Sequence, residues 1–272
     1  MNELHTTADT VEPHRGLVTV SRRDAIRGTA GLGATALAGI RIAGVPLALA
    51  GMVQRTAAQS VASIIGVLNF ALTLEYLEDE LYRTGLARPV AATFNSAERS
   101  AVEQISMHER AHVMVLQATI RALAGTPVSK PAFDFTARGL FADVFTNKAT
   151  FLAVAQAFED TGVRAYKGQA GNVASNKAVL TAALQIHSVE ARHASQIRRL
   201  RGQKGWITNA DRGTLPAATQ AVYAGEENTT HAGVNAAPLG ANAGGTAAVT
   251  EAFDEPLTMQ QVLAILAPFL AG

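Results

Sequence analysis

The sequence has no cysteine, and of its 272 residues only 6% are aromatic and only 17% are charged. Without thiols the chain can form neither a disulfide nor a thiolate site, so any metal ion must be held by nitrogen and oxygen ligands. Its 23 Lys and Arg residues are balanced by 22 Asp and Glu residues, and the sequence shows no basic stripe with interleaved aromatic residues. Nucleic acid is therefore excluded as a partner.

The chain does have ample apolar surface, since 48% of its residues are hydrophobic. A chain of this length can bury one sizeable core. From residue 57 onward the apolar residues recur at the spacing of an α-helix, which predicts an all-α domain. We expect a signal segment over 1–50, a four-helix bundle over 51–205 and a loop-rich C-terminal extension with a short helix over 206–272.

The first 50 residues have the composition of an export signal. Arg22 and Arg23 precede a stretch rich in Gly, Ala and Leu, which ends in an Ala-Leu-Ala triplet just before Gly51. This order resembles a twin-arginine signal and implies export to the periplasm or the exterior, with cleavage near Gly51. Arg41 interrupts the apolar stretch, so we expect no permanent membrane span there. A surface amphipathic helix and a membrane anchor are the alternatives.

Four segments of the bundle region are long enough to cross a domain. The first and second are joined by a short turn, as are the third and fourth, whereas residues 125–147 separate the second from the third. This inequality predicts a four-helix bundle with one long crossover. The second helix is expected to begin at Ser96 as its N-cap, with Arg99 at the third helical position. The predicted helices cover residues 58–84, 97–124, 148–168 and 175–201.

The segments outside the four helices have simpler patterns. Residues 224–248 are mostly Gly, Ala, Asn and Thr, which predicts a loop or a flexible arm, with Glu226 and Glu227 in a solvated turn. Thr258 and Gln261 form a capping box before a final apolar helix, which we expect to dock on the bundle or on a second subunit. Four phenylalanines of the crossover are expected to pack across the bundle end: Phe133, Phe135, Phe141 and Phe145.

Two of the predicted helices each carry a Glu-x-x-His pair. The pairs are Glu109 with His112 in the second helix and Glu190 with His193 in the fourth. A separation of three places both side chains on one helix face, about one turn apart, so that a carboxylate oxygen and an imidazole nitrogen can meet one ion. Two such pairs, both inside long helices, exceed what chance predicts for seven histidines.

The first and third helices each place a glutamate among apolar residues. These are Glu75 and Glu159, and each is followed seven residues later by a tyrosine, Tyr82 and Tyr166. Seven residues are two helical turns, so each tyrosine lies on the face of its glutamate and can hydrogen-bond a ligand or carry redox chemistry. Four carboxylates and two imidazoles are the ligand set of carboxylate-bridged di-iron and di-manganese bundles.

Other residues compete for these roles. Glu78 lies one turn after Glu75 and is the rival ligand on the first helix. His187 lies one turn before Glu190, where it can be a partner of a ligand, a further ligand or a structural histidine. His108 is expected to point into solvent. A metal-free network of ion pairs is the alternative to a metal site as a whole.

The segment from about residue 58 to 201 resembles a ferritin-like domain, and within that superfamily the group called desiccation-related or ferritin-like domain proteins. The resemblance implies two metal ions per chain, bridged by Glu109 and Glu190, with the other four ligands terminal: Glu75 and Glu159, and His112 and His193 with one histidine to each ion. The likeness is carried by the segments Leu74-Glu-Tyr-Leu-Glu-Asp-Glu-Leu-Tyr, Phe158-Glu-Asp-Thr-Gly-Val-Arg-Ala-Tyr, Val189-Glu-Ala-Arg-His-Ala and Ala252-Phe-Asp-Glu-Pro-Leu-Thr.

A site of this kind suits redox chemistry with two Fe or two Mn ions, because O and N ligands bind both metals. We expect an exported oxidoreductase or ferroxidase that acts on O2, peroxide or Fe(II) in protection against oxidative or drying stress. Metal storage without turnover, and a structural protective protein in which the metal is a staple, are the alternatives. The expected assembly is a homodimer or another small homo-oligomer.

Overall fold

The computed structural model of the chain describes residues 60–271. The predicted export signal therefore lies outside the described residues. Within them the fold is all-α, as the sequence predicted, and four long helices form its centre. These are α1 (Val61–Leu86), α2 (Ser96–Ala122), α3 (Lys148–Gln169) and α4 (Lys177–Leu200).

Shorter elements connect and follow the four helices. Two of the 3-10 helices, Pro89–Thr93 and Ala170–Val173, lie in the short connections within each helix pair. The remaining elements belong to the C-terminal extension: the 3-10 helices Ala217–Thr219, Ala237–Asn242 and Ala267–Phe269, the helices α5 (Gln220–Tyr223), α6 (Gly245–Thr250) and α7 (Met259–Leu266), and the strands β1 (Thr230–His231) and β2 (Val234–Asn235), which pair antiparallel.

The long helices begin at residues that cap them. At α2 the cap is Asn95, whose side chain accepts from the Glu98 backbone N–H at 2.9 Å, while the Glu98 carboxylate accepts from the Asn95 N–H at 2.8 Å. The expected cap at Ser96 with Arg99 was therefore wrong by one position, because the reciprocal box needs Glu or Gln at the third helical place. The box predicted for Thr258 and Gln261 is present at the start of α7.

The helices pack as two antiparallel pairs, α1 with α2 and α3 with α4. The two pairs meet mainly where α1 lies against α3. Near the end of α1, a Cβ on Gly85 would fall 2.3 Å from the ring of Phe151, which lies in the first turn of α3. The end of α1 thus lies beside the start of α3, so these two helices also run antiparallel. The crossover must then return along the length of the bundle, as predicted.

Two apolar clusters fill the two ends of the bundle. One lies where α1 ends and includes Leu81, Val102 and Phe151. The other lies where α1 begins and includes Ile64 and Ile120. The predicted position of the crossover phenylalanines is confirmed, because Phe135 and Phe141 are buried in the first cluster and Phe133 and Phe145 pack against it.

The C-terminal extension docks on the bundle, which is one of the two alternatives that the sequence left open. Leu257, Val262 and Phe269 join the core at the α3 side. Backbone pairing ties the extension to the crossover, because Phe133 and Leu270 form an antiparallel bridge. The segment 224–248 is more structured than the expected loop or arm, since it contains both short strands and most of α6.

Buried ion pairs hold the extension against α3 and α4. Asp160 accepts from Arg198 at 3.0 and 2.6 Å and from the Tyr223 hydroxyl at 2.8 Å. Arg164 lies 2.7 Å from Glu226, and both side chains are almost fully buried. The expectation of a solvated turn at Glu226 was therefore wrong, because the local composition gave no sign of a buried arginine on α3. Burial raises the pKa of Glu226 to about 7, against the opposing effect of Arg164.

One glycine of α3 marks the closest approach of the extension. A Cβ on Gly168 would lie 1.9 Å from the backbone oxygen of Leu257, a distance at which no side chain fits. The Leu257 N–H in turn donates to the backbone oxygen of Arg164 at 3.1 Å. Glycine at position 168 thus allows backbone to lie directly on backbone.

Among the described helices, α1 has the length and the apolar composition of a membrane span. Slightly more than half of its most apolar window is buried inside the bundle, and it carries the buried acids Glu75, Glu78 and Asp79. This is the character of a core helix of the bundle.

Candidate metal centre

The six predicted ligands meet in the middle of the bundle, between the two apolar clusters. The four glutamates are fully buried, with 0% of their surface exposed, while His112 and His193 are 8% and 4% exposed. Each of the four long helices contributes one carboxylate, and α2 and α4 each add a histidine. The set is Glu75 on α1, Glu109 and His112 on α2, Glu159 on α3, and Glu190 and His193 on α4.

Their ligand atoms form two overlapping groups of four, and within each group all the atoms lie within 4.8 Å of one another. One group adds Glu75 and His112 to a shared pair, and the other adds Glu159 and His193. The shared pair is Glu109 and Glu190. Two adjacent ions, each with a glutamate and a histidine of its own, would fit such an arrangement.

Contacts around His112 favour an ion over a hydrogen-bond network. Its Nδ1 lies 3.2 Å from Glu75 Oε2, 3.2 Å from Glu109 Oε2 and 3.1 Å from Glu190 Oε1. A ring nitrogen carries at most one proton, so it cannot donate to three carboxylates. Three carboxylate oxygens gathered around one nitrogen instead resemble ligands that face a common centre.

Unpartnered atoms lead to the same conclusion at His193. Its Nδ1 lies 2.6 Å from Glu109 Oε1, yet neither atom has a hydrogen-bond partner of acceptable geometry. Both oxygens of Glu190 and Oε2 of Glu159 are also buried without a hydrogen bond. Buried carboxylate oxygens without partners are costly, and metal coordination would satisfy them. The residues present therefore fit metal ions held by oxygen and nitrogen.

The two tyrosines bond across the bundle. Tyr82 of α1 donates to Glu159 Oε1 of α3 at 2.5 Å, and Tyr166 of α3 donates to Glu75 Oε1 of α1. The sequence predicted that each tyrosine would share the face of the glutamate on its own helix. The two faces do coincide, but because α1 and α3 are antiparallel each hydroxyl reaches the glutamate of the other helix.

Glu78 is a fifth buried carboxylate at the edge of the centre. It is 2% exposed, and its Oε2 has no hydrogen-bond partner. It belongs to neither group of four, but a Cβ on Gly162 of α3 would lie 3.1 Å from both Glu78 Oε1 and Glu190 Oε2. The absence of a side chain at Gly162 gives these two carboxylates their space. Nothing in the sequence pattern identified Gly162.

The two other histidines near the centre, His108 and His187, differ in whether they contact a candidate ligand. His108 does not point into solvent as expected, because its Nδ1 lies 2.9 Å from Nε2 of His193 and the two rings stack with centroids 5.2 Å apart. The expectation failed because it considered only which face of α2 carries His108. It did not consider that the side chain of His193 on α4 extends to that face. His187 belongs to neither group, and burial and Lys167 lower its pKa.

Electrostatics of the centre are those of crowded buried acids. Burial, and then Glu190, raise the pKa of Glu78, and burial, and then Glu109, raise that of Glu190. Burial raises the pKa of Glu109 to about 7, although the adjacent imidazoles of His112 and His193 oppose the shift. Without metal these three acids therefore hold protons at pH values where exposed glutamates have lost them.

The two histidines shift in the opposite sense to most buried imidazoles. Burial lowers the pKa of His193, but Glu159 and Glu109 outweigh it and raise the value to about 11. Burial likewise lowers the pKa of His112, and Glu109, Glu190 and Glu75 together raise it well above its ordinary value. In the metal-free centre both imidazoles are therefore cations that partly offset the carboxylates.

Comparison with known families agrees with this architecture. The family of the ferritin-like domain matches residues 63–203, which is more than half of the chain. The chain belongs to the ferritin-like domain family. No curated protein matches it at a significant level. The match covers all six candidate ligands and all four long helices except the first two residues of α1, and the extension lies beyond it.

Proposed function

We propose that this ferritin-like domain binds two ions of iron or manganese and carries out redox chemistry on O2, peroxide or Fe(II). The observation that supports this most directly is the overlap of the two ligand groups, which share Glu109 and Glu190. Sharing two carboxylates would bring the ions close together, and when bound such a pair can exchange electrons with a small oxidant. The absence of cysteine leaves only O and N ligands, which suit both metals.

The chain's own residues would then have distinct roles. Glu109 and Glu190 would bridge the ions, Glu75 and His112 would hold one, and Glu159 and His193 the other. Tyr82 and Tyr166 orient the two terminal glutamates through their hydroxyl groups. The apolar clusters at both bundle ends keep bulk water from the carboxylates, which strengthens every charge interaction inside.

The cellular setting is part of the proposal. Arg22, Arg23 and the Ala-Leu-Ala triplet before Gly51 support export by a twin-arginine route to the periplasm or exterior. There the protein would protect against oxidative or drying stress, as a homodimer or another small homo-oligomer. N-terminal sequencing of the native protein after fractionation tests export, and an intact residue 1 in the cytoplasm would contradict it.

Anaerobic loading of the metal-free protein with Fe(II) or Mn(II) tests the function itself. Elemental analysis should find two ions per chain, and addition of O2 or peroxide should consume the oxidant. Fewer than two ions would contradict the dinuclear site. Two ions without reaction towards either oxidant would leave storage or a structural role as the function.

A further inference from the structure

A cleft of about 510 Å³ between α2 and α4 reaches the candidate metal centre from outside. Both histidines of the centre, His112 and His193, are among its lining residues. The helices α2 and α4 contact each other far less than the partners within each pair do, which leaves this side of the bundle open. The cleft is therefore a route by which a substrate can meet the centre on its histidine side.

The size of the cleft exceeds what hydrogen peroxide or O2 requires. Volumes of several hundred Å³ are typical of sites for organic molecules with a dozen or more heavy atoms. Most of its exposed lining is apolar, and apolar side chains come from both helices, Ile105 and Ala111 from α2 and Val189 from α4. Such walls suit a compact hydrocarbon group.

The polar lining includes the stacked rings of His108 and His193 where the cleft meets the centre, and the exposed residues Gln104, Arg192 and Gln196 nearer the surface. His108 Nδ1 bonds Nε2 of His193 at 2.9 Å, and Nε2 of His108 lies 2.6 Å from the amide of Gln104. Both ring nitrogens of His108 are engaged in these contacts, whereas the carboxamide of Gln104 has further capacity to donate to and accept from a substrate oxygen. A ligand with an apolar body and an oxygen end is therefore complementary to the cleft.

The charge of the cleft argues against Fe(II) as its occupant. None of the described residues that line it is a carboxylate, whereas Arg192 contributes a guanidinium. A hydrated divalent cation would have to approach this positive charge without an acidic partner on the way. An uncharged molecule would experience no such barrier.

We propose that the cleft between α2 and α4 binds a small organic hydroperoxide, with its hydrocarbon group between the apolar walls and its O–O end towards His108 and His193. This inference rests on the proposed redox function and specifies its substrate class. Reduction of the hydroperoxide to an alcohol and water takes up two electrons and two protons. In a single turnover the two electrons are those of two Fe(II) ions supplied when the protein is loaded.

Two exposed alanines of α2 provide a matched pair of variants. Ala111 lines the cleft, whereas Ala118, two turns later on the same helix, does not. Ala111→Trp should fill the cleft, and Ala118→Trp should add the same side chain outside it. Gln196→Trp blocks the cleft from α4, where residue 196 is also exposed. All three positions are at the surface, so circular dichroism should show the same helicity in each.

The first measurement avoids the reaction altogether. Cumyl alcohol, which has no O–O bond, should bind the metal-free protein in a calorimetric titration. Ala111→Trp and Gln196→Trp should each weaken its binding by about tenfold or more, which corresponds to losing one good apolar contact surface, while Ala118→Trp leaves the affinity unchanged. Equal affinity in Ala111→Trp and Ala118→Trp, or no binding to the wild-type protein, would overturn the proposal.

The second measurement compares two oxidants with the Fe(II)-loaded protein. The ratio of the rate constant for cumene hydroperoxide to that for hydrogen peroxide should fall about tenfold or more in Ala111→Trp, and it should keep the wild-type value in Ala118→Trp, which lies outside the cleft. Wild-type protein that reacts with hydrogen peroxide but not with cumene hydroperoxide would refute the cleft assignment alone. Reaction with neither of these oxidants nor with O2 at full metal content would refute the redox function itself.

Discussion

The hydroxyl of Tyr82 donates to Oε1 of Glu159 at 2.5 Å, although the two residues lie 77 positions apart and on different helices. Tyr166 does the same for Glu75 in the other direction. Each of these two glutamates is thus held by the helix opposite its own. The geometry of the centre depends on how α1 and α3 are aligned along their axes, and this dependence can be tested.

Replacing the tyrosines should separate metal binding from reactivity. Tyr82→Phe and Tyr166→Phe each remove a hydroxyl that orients a glutamate, so we expect two ions to remain bound and oxidant consumption to slow by about tenfold. The measurement is metal content together with the rate of oxidation. Tyr76→Phe is the control, because Tyr76 is also buried on α1 but donates to the backbone oxygen of Val128. The same slowing in the control would refute a specific role.

The shared carboxylates should matter more than either histidine. Glu190→Ala removes a residue common to both ligand groups and should abolish binding of both ions, whereas His112→Ala should leave one ion in the other group. Elemental analysis distinguishes two, one and no ions per chain. Helicity should be retained in both variants, because the apolar clusters at the bundle ends are unchanged. Identical metal loss in the two variants would contradict the sharing.

Glu75 and Glu78 give a test on a single helix. Glu75→Gln should lower the metal content by one ion, since Glu75 belongs to a ligand group, while Glu78→Gln should retain two. Both side chains are buried, so the comparison holds exposure constant. Elemental analysis of the two purified proteins is the measurement. Equal losses would show that Glu78 ligates an ion as well.

Stability of the metal-free protein should fall as the pH rises. The pKa of Glu109 is raised from 4.5 to about 7, and that of His193 from 6.5 to about 11. The folded state therefore holds more protons than the unfolded state from pH 4.5 upward, and the stability that these groups contribute at low pH is progressively lost. Thermal unfolding should show a Tm that falls between pH 5 and 8. This interval lies between the ordinary pKa of Glu109, 4.5, and the raised pKa of His193, about 11.

Metal should reverse this trend, because binding requires these groups to release their protons. The affinity for Mn(II) should therefore increase with pH across neutrality, and a weakly buffered solution should acidify on titration. A metal-free Tm that rises over the same pH interval would contradict the assigned protonation. Protein carrying Glu109→Gln should show a smaller change in Tm than the wild-type protein.

Gly168 should be intolerant of any side chain. Gly168→Ala places a Cβ 1.9 Å from the Leu257 oxygen and should destabilise the protein by about 1–3 kcal/mol, the usual cost of overpacking. Gly171, in the following 3-10 helix, has no atom within 4 Å of its Cβ position. Gly171→Ala should therefore be neutral or stabilising by up to about 1 kcal/mol. Denaturant unfolding measures both, and a stable Gly168→Ala would show that Leu257 can move away.

Sequence patterns predicted much of the centre, because the relevant periods lie within single helices. The spacing of three in Glu109 with His112, and the apolar surroundings of Glu75, predicted which residues the structure brings together. Their role as ligands stays a prediction. The unequal connection lengths predicted the crossover, and the resemblance to the ferritin-like domain, which is now shown to be the family, supplied only the proposed division into bridging and terminal ligands.

Contacts between different helices could not be predicted from the sequence patterns. The bond from His108 to His193 and the approach of Glu78 to Glu190 depend on the rotation and axial shift of neighbouring helices, which no single-helix pattern contains. The burial of Glu226 depends on Arg164, a residue more than sixty positions earlier. Composition around Glu226 indicated only a polar turn, since the arginine that compensates its charge is remote in sequence.

The bridge between Phe133 and Leu270 also bears on the order in which the protein folds. During synthesis the crossover emerges long before Leu270, so its phenylalanines cannot be covered on that side until the later segment is available. The apolar surface at this end of the bundle therefore stays exposed until the C-terminal segment has been synthesised. Chains with such exposed surface aggregate or bind chaperones. Such distant pairing also raises the contact order and slows folding. A ribosome-bound chain stalled before residue 257 should thus be far more sensitive to protease than one released at full length.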